Sequence, residues 1–112
     1  MSYRKGYSLE REIKLQLEEL GFTVIRSAGS KKPDLIAGRD GSIYVIECKA
    51  KKSQPVYIDT DEIEKLHKAA KDFNAQPMVC IKINNKPMQW LSPSWLGKTK
   101  EKYVWNEKEI DS

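Results

Sequence analysis

The dipeptide Asp40-Gly41 places the strongest single constraint on how this chain of 112 residues folds. It stands between two apolar runs, 34–38 and 42–49. Asp-Gly is a preferred pair for the two-residue type I′ turn that joins antiparallel strands. The sequence therefore predicts a tight β-hairpin. With Asp40 and Gly41 as its loop residues, Arg39 pairs with Ser42, and the residue numbers of every later pair have the same sum.

This register predicts that Asp34 lies directly opposite Glu47. Directly opposed residues share a face of the sheet, with Cβ atoms about 4.5–5.5 Å apart. Two carboxylates so placed repel each other, and burial makes the repulsion worse. A divalent cation would relieve it, and magnesium prefers carboxylate oxygens and water as ligands. Folding alone does not favour this pair, so the spacing indicates a metal site.

Lys49 projects from the same face as Glu47, because side chains alternate along a strand. An ammonium group there could orient or deprotonate an attacking water and offset charge that develops on phosphate oxygens. A glutamate followed two residues later by a lysine also occurs on ordinary solvated strands. Its inferred position beside Asp34 favours the catalytic interpretation, in which Mg²⁺ activates water for attack on a phosphodiester.

Apolar residues at helical spacing predict two helices. The first spans residues 8–20, with Gly21 as its C-terminal stop. The second runs to Phe73 from a cap at Asp59 or Thr60. The periodic apolar residues are Leu9, Ile13, Leu17 and Leu20 in the first helix and Ile63, Leu66, Ala70 and Phe73 in the second.

Further strands are predicted at residues 22–27, 78–83 and 88–91, with a short edge-like segment at 56–58. The order helix, strand, strand, strand, helix, strand predicts an α/β fold in which a central mixed β-sheet is flanked by a helix on each face. The strand over residues 42–49 should be central, since both of its faces are largely apolar. No regular element is predicted beyond Pro93, and residues after about 106 are expected to be loose.

The positive charge of the chain is unevenly distributed. Residues 1–52 carry eleven Lys and Arg against seven Asp and Glu, whereas residues 53–112 carry nine of each, so the whole net charge of +4 lies in the first half. A basic patch of this kind could neutralise DNA phosphates, although a solvated lysine-rich surface would look similar. Its members are Arg4, Lys5, Arg11, Arg26, Lys31, Lys32, Lys49, Lys51 and Lys52.

Length and composition predict a single domain over residues 1–112. No apolar run approaches the length of a membrane span. The basic N-terminus lacks the apolar stretch of a signal peptide, so we expect a cytoplasmic protein. Cys48 and Cys80 form no CxxC pair and are expected to be buried free thiols. His67 has no second histidine beside it and is not expected to bind metal.

Three runs of sequence together resemble a known family. They are RKG…LEREI, FTVIRSAGSKKPDLIAG and YVIECKA, and they closely resemble the archaeal Holliday-junction resolvases of the wider PD-(D/E)xK nuclease superfamily. The resemblance covers roughly residues 3–92. The superfamily motif reads Pro33-Asp34 followed by Glu47-Cys48-Lys49. It implies a restriction-endonuclease-like fold with an α-β-β-β-α-β core.

The resemblance also implies roles for particular residues. Glu10, Asp34 and Glu47 would hold Mg²⁺, for which Mn²⁺ would substitute, and Lys49 would serve catalysis. Arg11, Arg26 and Ser30 would act near the scissile phosphate. Arg4 and Lys5, in a basic arm over residues 1–7, would grip DNA. The basic patch, and not the resemblance, predicts further DNA contacts by Lys31, Lys32, Lys51 and Lys52. From the residues alone, Glu10 could instead serve the helix dipole, and the two arginines could be surface charges.

Such enzymes are symmetric homodimers that nick two opposing strands of a four-way junction, leaving 5′-phosphates, in recombination and repair. Two departures concern the dimer contacts and the grip on the junction. The segment 59–62 is acidic where relatives are expected to be more basic, and the chain beyond Trp95 is expected to match poorly. Trp90, Trp95 and Trp105 are expected to pack in the core or at a subunit interface rather than on bases.

Two alternatives remain open at this point. One is a nickase or restriction-like nuclease of the same superfamily that acts on duplex or flap DNA. The other is a non-catalytic module that binds junctions without cutting them.

Overall fold

Two helices pack on opposite faces of a mixed sheet in the computed structural model. The structure describes residues 5–28, 32–99 and 101–106, and side chains from Leu9 onward within these ranges. The elements, in chain order, are α1 Lys5–Glu19, β1 Thr23–Arg26, β2 Leu35–Arg39, β3 Ser42–Lys51, β4 Val56–Asp59, α2 Thr60–Phe73, β5 Gln76–Ile83, β6 Gln89–Leu91, a 3₁₀ turn Pro93–Trp95, β7 Gly97–Lys98 and β8 Lys102–Trp105.

The predicted hairpin is confirmed. Asp40 and Gly41 have φ values of 52° and 84°, and two positive φ values are what a type I′ turn requires. The pairing runs from Arg39 opposite Ser42 to Leu35 opposite Ile46, which is the predicted register. Asp34 is therefore the residue directly before the last pair of the ladder.

The main sheet has the strand order β1-β2-β3-β5-β6, so β3 is central, as predicted. Neighbouring strands of this sheet are antiparallel, except that β3 and β5 are parallel. Their pairing runs from Tyr44 opposite Gln76 to Lys51 opposite Ile83. Parallel neighbours need a crossover connection, and β4 and α2 lie in this one. The crossover brings the start of α2 back over one face of β3, close to the last residues of that strand.

Alternation along β3 divides the core into two layers. Val45 faces the layer under α2, and Ile46 faces the layer under α1; both are fully buried. The α1 layer includes Leu9, Ile13, Val24, Leu35, Ala37, Cys48 and Cys80, and the α2 layer includes Val56, Ile58, Ile63, Leu66, Ala70, Val79 and Ile81. Both cysteines are buried and free, as the sequence predicts.

The first helix begins earlier than predicted. It starts at Lys5 rather than at Ser8, so the predicted basic arm over residues 1–7 is helical from Lys5 onward. Ser8 is a favoured N-cap residue type, and this preference misplaced the boundary. The C-terminal end is as predicted, with Gly21 at φ 92° and the N–H of Phe22 donating to the carbonyl of Leu17 at 3.0 Å.

The second helix spans the predicted residues, and its cap is one of the two predicted residues. Asp59 occupies the N-cap position without a side-chain capping hydrogen bond, because its carboxylate pairs with Lys102, 2.5 Å from the Nζ atom. Asn74 ends the helix in the left-handed conformation at φ 54°.

A second sheet is a correction to the prediction. β4, expected as an edge-like segment of one central sheet, belongs instead to a three-stranded sheet of order β4-β8-β7. The strands after Pro93, where no regular element was predicted, complete that sheet. Each has only two to four residues, too few for alternation to be recognised in the sequence.

The three tryptophans do not form one cluster. Trp90 packs in the α1 layer and Trp105 in the α2 layer, which confirms the prediction of core packing for these two. Trp95 is 67% exposed. In the part of the chain that the structure describes, no helix has the length and apolar character that crossing a membrane requires.

Candidate active site

Asp34 is attached to the central strand through its side chain. Its Oδ2 atom accepts a hydrogen bond from the backbone N–H of Cys48 at 2.8 Å, between Glu47 and Lys49. The loop before it is closed by Ser27, whose N–H donates to the Asp34 carbonyl at 3.1 Å and whose hydroxyl donates to the carbonyl of Pro33. The turn chemistry and these bonds together bring the Pro-Asp and Glu-Cys-Lys parts of the motif to one place.

The acidic groups of this site raise one another's pKa values. Burial raises the pKa of Glu47 well above its usual range, and the charge of Asp34 and a hydrogen bond with Glu62 raise it further. Burial also raises the pKa of Asp34, against the lowering effects of the Cys48 N–H and the Lys49 charge. Holding these acids ionised costs free energy, which a bound cation would offset.

Glu10 approaches the same site from α1. Burial, followed by the charge of Asp34, raises its pKa, while Arg26 lowers it. The Nη2 atom of Arg26 lies 3.2 Å from Oε1 of Glu10, and both side chains are largely buried. The helix dipole acts most strongly on charges in the first turn. Because α1 begins at Lys5, Glu10 lies beyond that turn. This position favours a role at the site over a role in the dipole.

The chemistry of these groups fits magnesium, but the residues that the structure describes form no preformed cage. Among the described residues, no three His, Cys, Asp or Glu side chains converge closely enough to hold a metal. The present partners are Arg26 for Glu10, the Cys48 N–H for Asp34 and Glu62 for Glu47. All three candidate ligands are carboxylates with partial burial, the donor type that Mg²⁺ takes.

Glu62 belongs to this site, although the sequence marked its segment only as unexpectedly acidic. Its Oε1 atom lies 2.5 Å from Nζ of Lys49, and the two side chains are 29% and 21% exposed. A signal was present in the sequence. Glu62 directly precedes Ile63 of the apolar stripe, in the first turn of the helix predicted to follow the central strand, so it flanks the face that packs on the sheet.

The basic residues are placed unevenly. Arg11, Lys32, Lys51 and Lys52 are exposed, as phosphate contacts must be, and Arg26 is partly buried beside Glu10. Lys32 lines a groove together with Lys65 and Lys68 of α2, two lysines outside the predicted basic patch. Arg4, Ser30 and Lys31 lie outside the described residues, and the side chain of Lys5 is not described.

A sequence model of the family described as archaeal Holliday junction resolvase (hjc) matches residues 1–112. The chain belongs to this family. The match continues to the last residue, so the expectation of a poor match beyond Trp95 was wrong.

Several relatives carry the name crossover junction endodeoxyribonuclease Hjc, and two of them match more than nine-tenths of this chain. The protein of Methanocaldococcus jannaschii is 45% identical over 106 residues, which are 95% of this chain and 79% of that protein. The protein of Archaeoglobus fulgidus is 32% identical over 108 residues, which are 92% of this chain and 79% of that protein.

A solved structure confirms the restriction-endonuclease-like fold. The structure of Archaeoglobus fulgidus Hjc, described as a Holliday junction resolvase from an archaeal hyperthermophile, matches with a TM-score of 0.86 at 32% identity. The match covers 92% of this chain and 84% of that one.

Proposed function

We propose that this resolvase-family protein is a structure-selective endonuclease that resolves four-way DNA junctions by paired, Mg²⁺-dependent nicks. Family membership supports the substrate and the reaction class. The observation that carries the proposal for the site is the attachment of Asp34 to β3 at Cys48, which brings its carboxylate beside Glu47 and Lys49.

Glu10, Asp34 and Glu47 are the proposed ligands of the metal. Bound Mg²⁺ would stabilise negative charge on the phosphate and the leaving sugar oxygen and lower the pKa of a bound water. Lys49 extends from the same face of β3 as Glu47, where its ammonium group can donate hydrogen bonds to a water or to a phosphate oxygen. Arg26 neutralises part of the acidic charge near Glu10, and Arg11 is exposed on the same helix for contact with a phosphate.

The exposed lysines supply the proposed grip on DNA. Lys51 and Lys52 continue from the end of β3, directly beyond Lys49. Lys32 and Lys65 line one groove on the side of α2 and add positive charge there, whereas Lys68 in the same groove is already paired with Asp72. Neutralising phosphates releases counterions, so junction binding should weaken steeply with salt. Arg4, Lys5 and Ser30 are proposed as further contacts on the grounds of the family resemblance, and Lys31 on the grounds of its place in the basic patch.

Paired nicks need two active sites, and each chain contributes one set of the acids described above. We therefore infer a homodimer with two-fold symmetry that matches the two opposing strands of a junction. Trp95, with 67% of its surface exposed, is available for subunit contact, whereas Trp90 and Trp105 already pack in the cores. The substrate also leads us to infer a cytoplasmic location, at the nucleoid.

The decisive experiment compares a four-way junction that has a mobile core with a linear duplex of the same sequence. We expect symmetric nicks in two opposing strands of the junction, each leaving a 5′-phosphate, in Mg²⁺ or Mn²⁺ and none in EDTA. Equal cutting of the duplex would favour the nickase or restriction-like alternative. Tight, salt-sensitive binding of the junction without any cutting in either metal would favour the non-catalytic module.

A further inference from the structure

The ammonium group of Lys49 is held by a residue outside the sequence motif. Nζ of Lys49 and Oε1 of Glu62 are 2.5 Å apart, and both side chains are about three-quarters buried. A lysine side chain has a long flexible stem and loses substantial rotamer freedom when it is held in one orientation. A partner in a partly buried site therefore has a large influence on where the ammonium group points.

The fold holds Glu62 rigidly against the strand. Ile63 and Leu66 are 0% and 1% exposed, so the first turns of α2 are anchored in the core. Glu47 and Lys49 project from the face of β3 that α2 covers, since Val45 on that face packs in the same layer. Glu62 meets Lys49 there through an ion pair, and it lies close enough to Glu47 to raise the pKa of that carboxyl group.

We propose that Glu62 is a positioning residue that orients Lys49 and thereby sets the rate of phosphodiester cleavage. This inference rests on the proposed role of Lys49 in catalysis. Glu62 needs no contact with DNA for this role. Its charge is negative, so it repels phosphates and contributes nothing favourable to junction binding.

Because Glu62 is negatively charged, an experiment can distinguish its positioning of Lys49 from a general electrostatic effect on DNA. Removing an acid beside a DNA phosphate should tighten junction binding and, if electrostatics alone mattered, should also speed cleavage. A positioning role predicts the opposite result for cleavage. Glu62→Gln keeps the shape of the side chain but removes its charge. Glu64→Gln, on the exposed side of the same helix, changes the net charge equally and is the matched control.

The experiment measures single-turnover cleavage of a four-way junction in Mg²⁺, and junction binding in EDTA. We expect Glu62→Gln to cleave about 10–100-fold more slowly, the loss typical of a missing partner behind a catalytic group. It should bind the junction at least as tightly as wild type. Glu64→Gln should cleave at the wild-type rate. Glu62→Asp, which keeps the charge but has a shorter reach, should cleave at an intermediate rate.

The Lys49→Ala background identifies the route of the effect. If Glu62 acts through Lys49, adding Glu62→Gln to Lys49→Ala should cause no further loss. A further loss of the same size would overturn the inference and would place the action of Glu62 on Glu47. A tenfold rise in the Mg²⁺ concentration needed for half-maximal cleavage by Glu62→Gln would overturn it too, because it would make Glu62 a metal ligand.

Folding and the underlying function are controlled separately. Thermal unfolding of each variant shows whether it is folded at the assay temperature. Should Glu62→Gln be unfolded there, Glu62→Asp carries the test, and a wild-type rate for that variant overturns the inference. Wild-type protein that fails to cut the junction contradicts the proposed function itself, whereas an active wild type with an equally active Glu62→Gln variant contradicts only the positioning role.

Discussion

The carboxylate of Asp34 accepts a hydrogen bond from the backbone N–H of Cys48, at 2.8 Å. Asp34 precedes the first residue of β2, so this bond extends the contact between the two strands beyond their last regular pair, Leu35 with Ile46. The bond uses one oxygen of the carboxylate, and no described residue forms a hydrogen bond with the other. A single aspartate can thus fasten the strands and still offer a ligand to a cation.

Removing the charge of Asp34 or of Glu47 should reduce junction cleavage without weakening junction binding. We expect Asp34→Asn and Glu47→Gln to lose cleavage by more than the 10–100-fold typical of an outer-shell partner. Both should bind junctions in EDTA at least as tightly as wild type, because each removes a negative charge near phosphates. Gel assays of nicking and of binding measure the two effects. Full cleavage by either variant would contradict the metal site.

The hydrogen bond to Cys48 should be visible in stability. Asp34→Asn retains an oxygen that can accept from the Cys48 N–H, whereas Asp34→Ala leaves that donor without this partner. Loss of a buried partner costs about 1–3 kcal/mol, so Asp34→Ala should be less stable than Asp34→Asn by this amount. Both variants lack the charge, and their comparison therefore isolates the bond. Equal denaturant midpoints in EDTA would contradict it.

The raised pKa values of Glu10, Asp34 and Glu47 predict how stability changes with pH. A carboxyl group with a raised pKa binds its proton more tightly in the folded state. Its contribution to stability is full below the unfolded pKa and is lost as pH rises toward the folded pKa. Without divalent metal, the midpoint temperature of thermal unfolding should therefore decrease as the pH is raised from about 5 to 8. Asp59, whose pKa is lowered by Lys102, titrates below this window.

Glu47→Gln is the control for this pH dependence. Its midpoint should fall less across the window and should exceed that of wild type at pH 8 in EDTA, by about 4 °C for each kcal/mol of relieved repulsion. Mg²⁺ should raise the wild-type midpoint more than that of the variant, because a ligand of the folded state stabilises it by mass action. Parallel curves for the two proteins would show that Glu47 does not cause the slope.

Gly41 should be needed for its backbone conformation alone. Its φ is 84°, and a Cβ added there would meet no atom within 4 Å. Gly41→Ala should therefore destabilise the protein by about 1 kcal/mol through strain and not through a clash. Gly38→Ala is the control, because the φ of Gly38 is ordinary. A Cβ added at Gly38 would have its nearest contact with the carbonyl oxygen of Ser42, at 3.6 Å. Chemical denaturation measures both, and equal losses would contradict this explanation.

The hairpin was predictable because its determinants are local. Asp40-Gly41 specifies the turn, the turn specifies the register, and the register brings Asp34 to β3. The central position of β3 followed from its two apolar faces. Neither prediction needed to know where any distant element lies.

The features that were missed depend on distant contacts. Asp59, predicted with Thr60 as a possible cap of α2, occupies the N-cap position, but its carboxylate pairs with Lys102 because β8 returns to lie beside β4. Glu62 joins the site only because the crossover positions α2 over the face of β3 that carries Lys49. The helix and strand propensities of local sequence carry no information about either of these two contacts. For the same reason, counting charges along the chain did not associate Lys65 and Lys68 with Lys32.

The parallel pairing of β3 with β5 has a consequence for the order of folding. The hairpin closes over a two-residue loop, whereas the first contact between β3 and β5 must enclose the whole segment between them and loses far more chain entropy. The two strands that bring Asp34 to Glu47 can therefore associate before α2 docks. A growing or partly folded chain would then hold Asp34 and Glu47, two of the proposed metal ligands, together while Lys49 was still unrestrained, and nuclease competence would arrive only with the closing of the crossover.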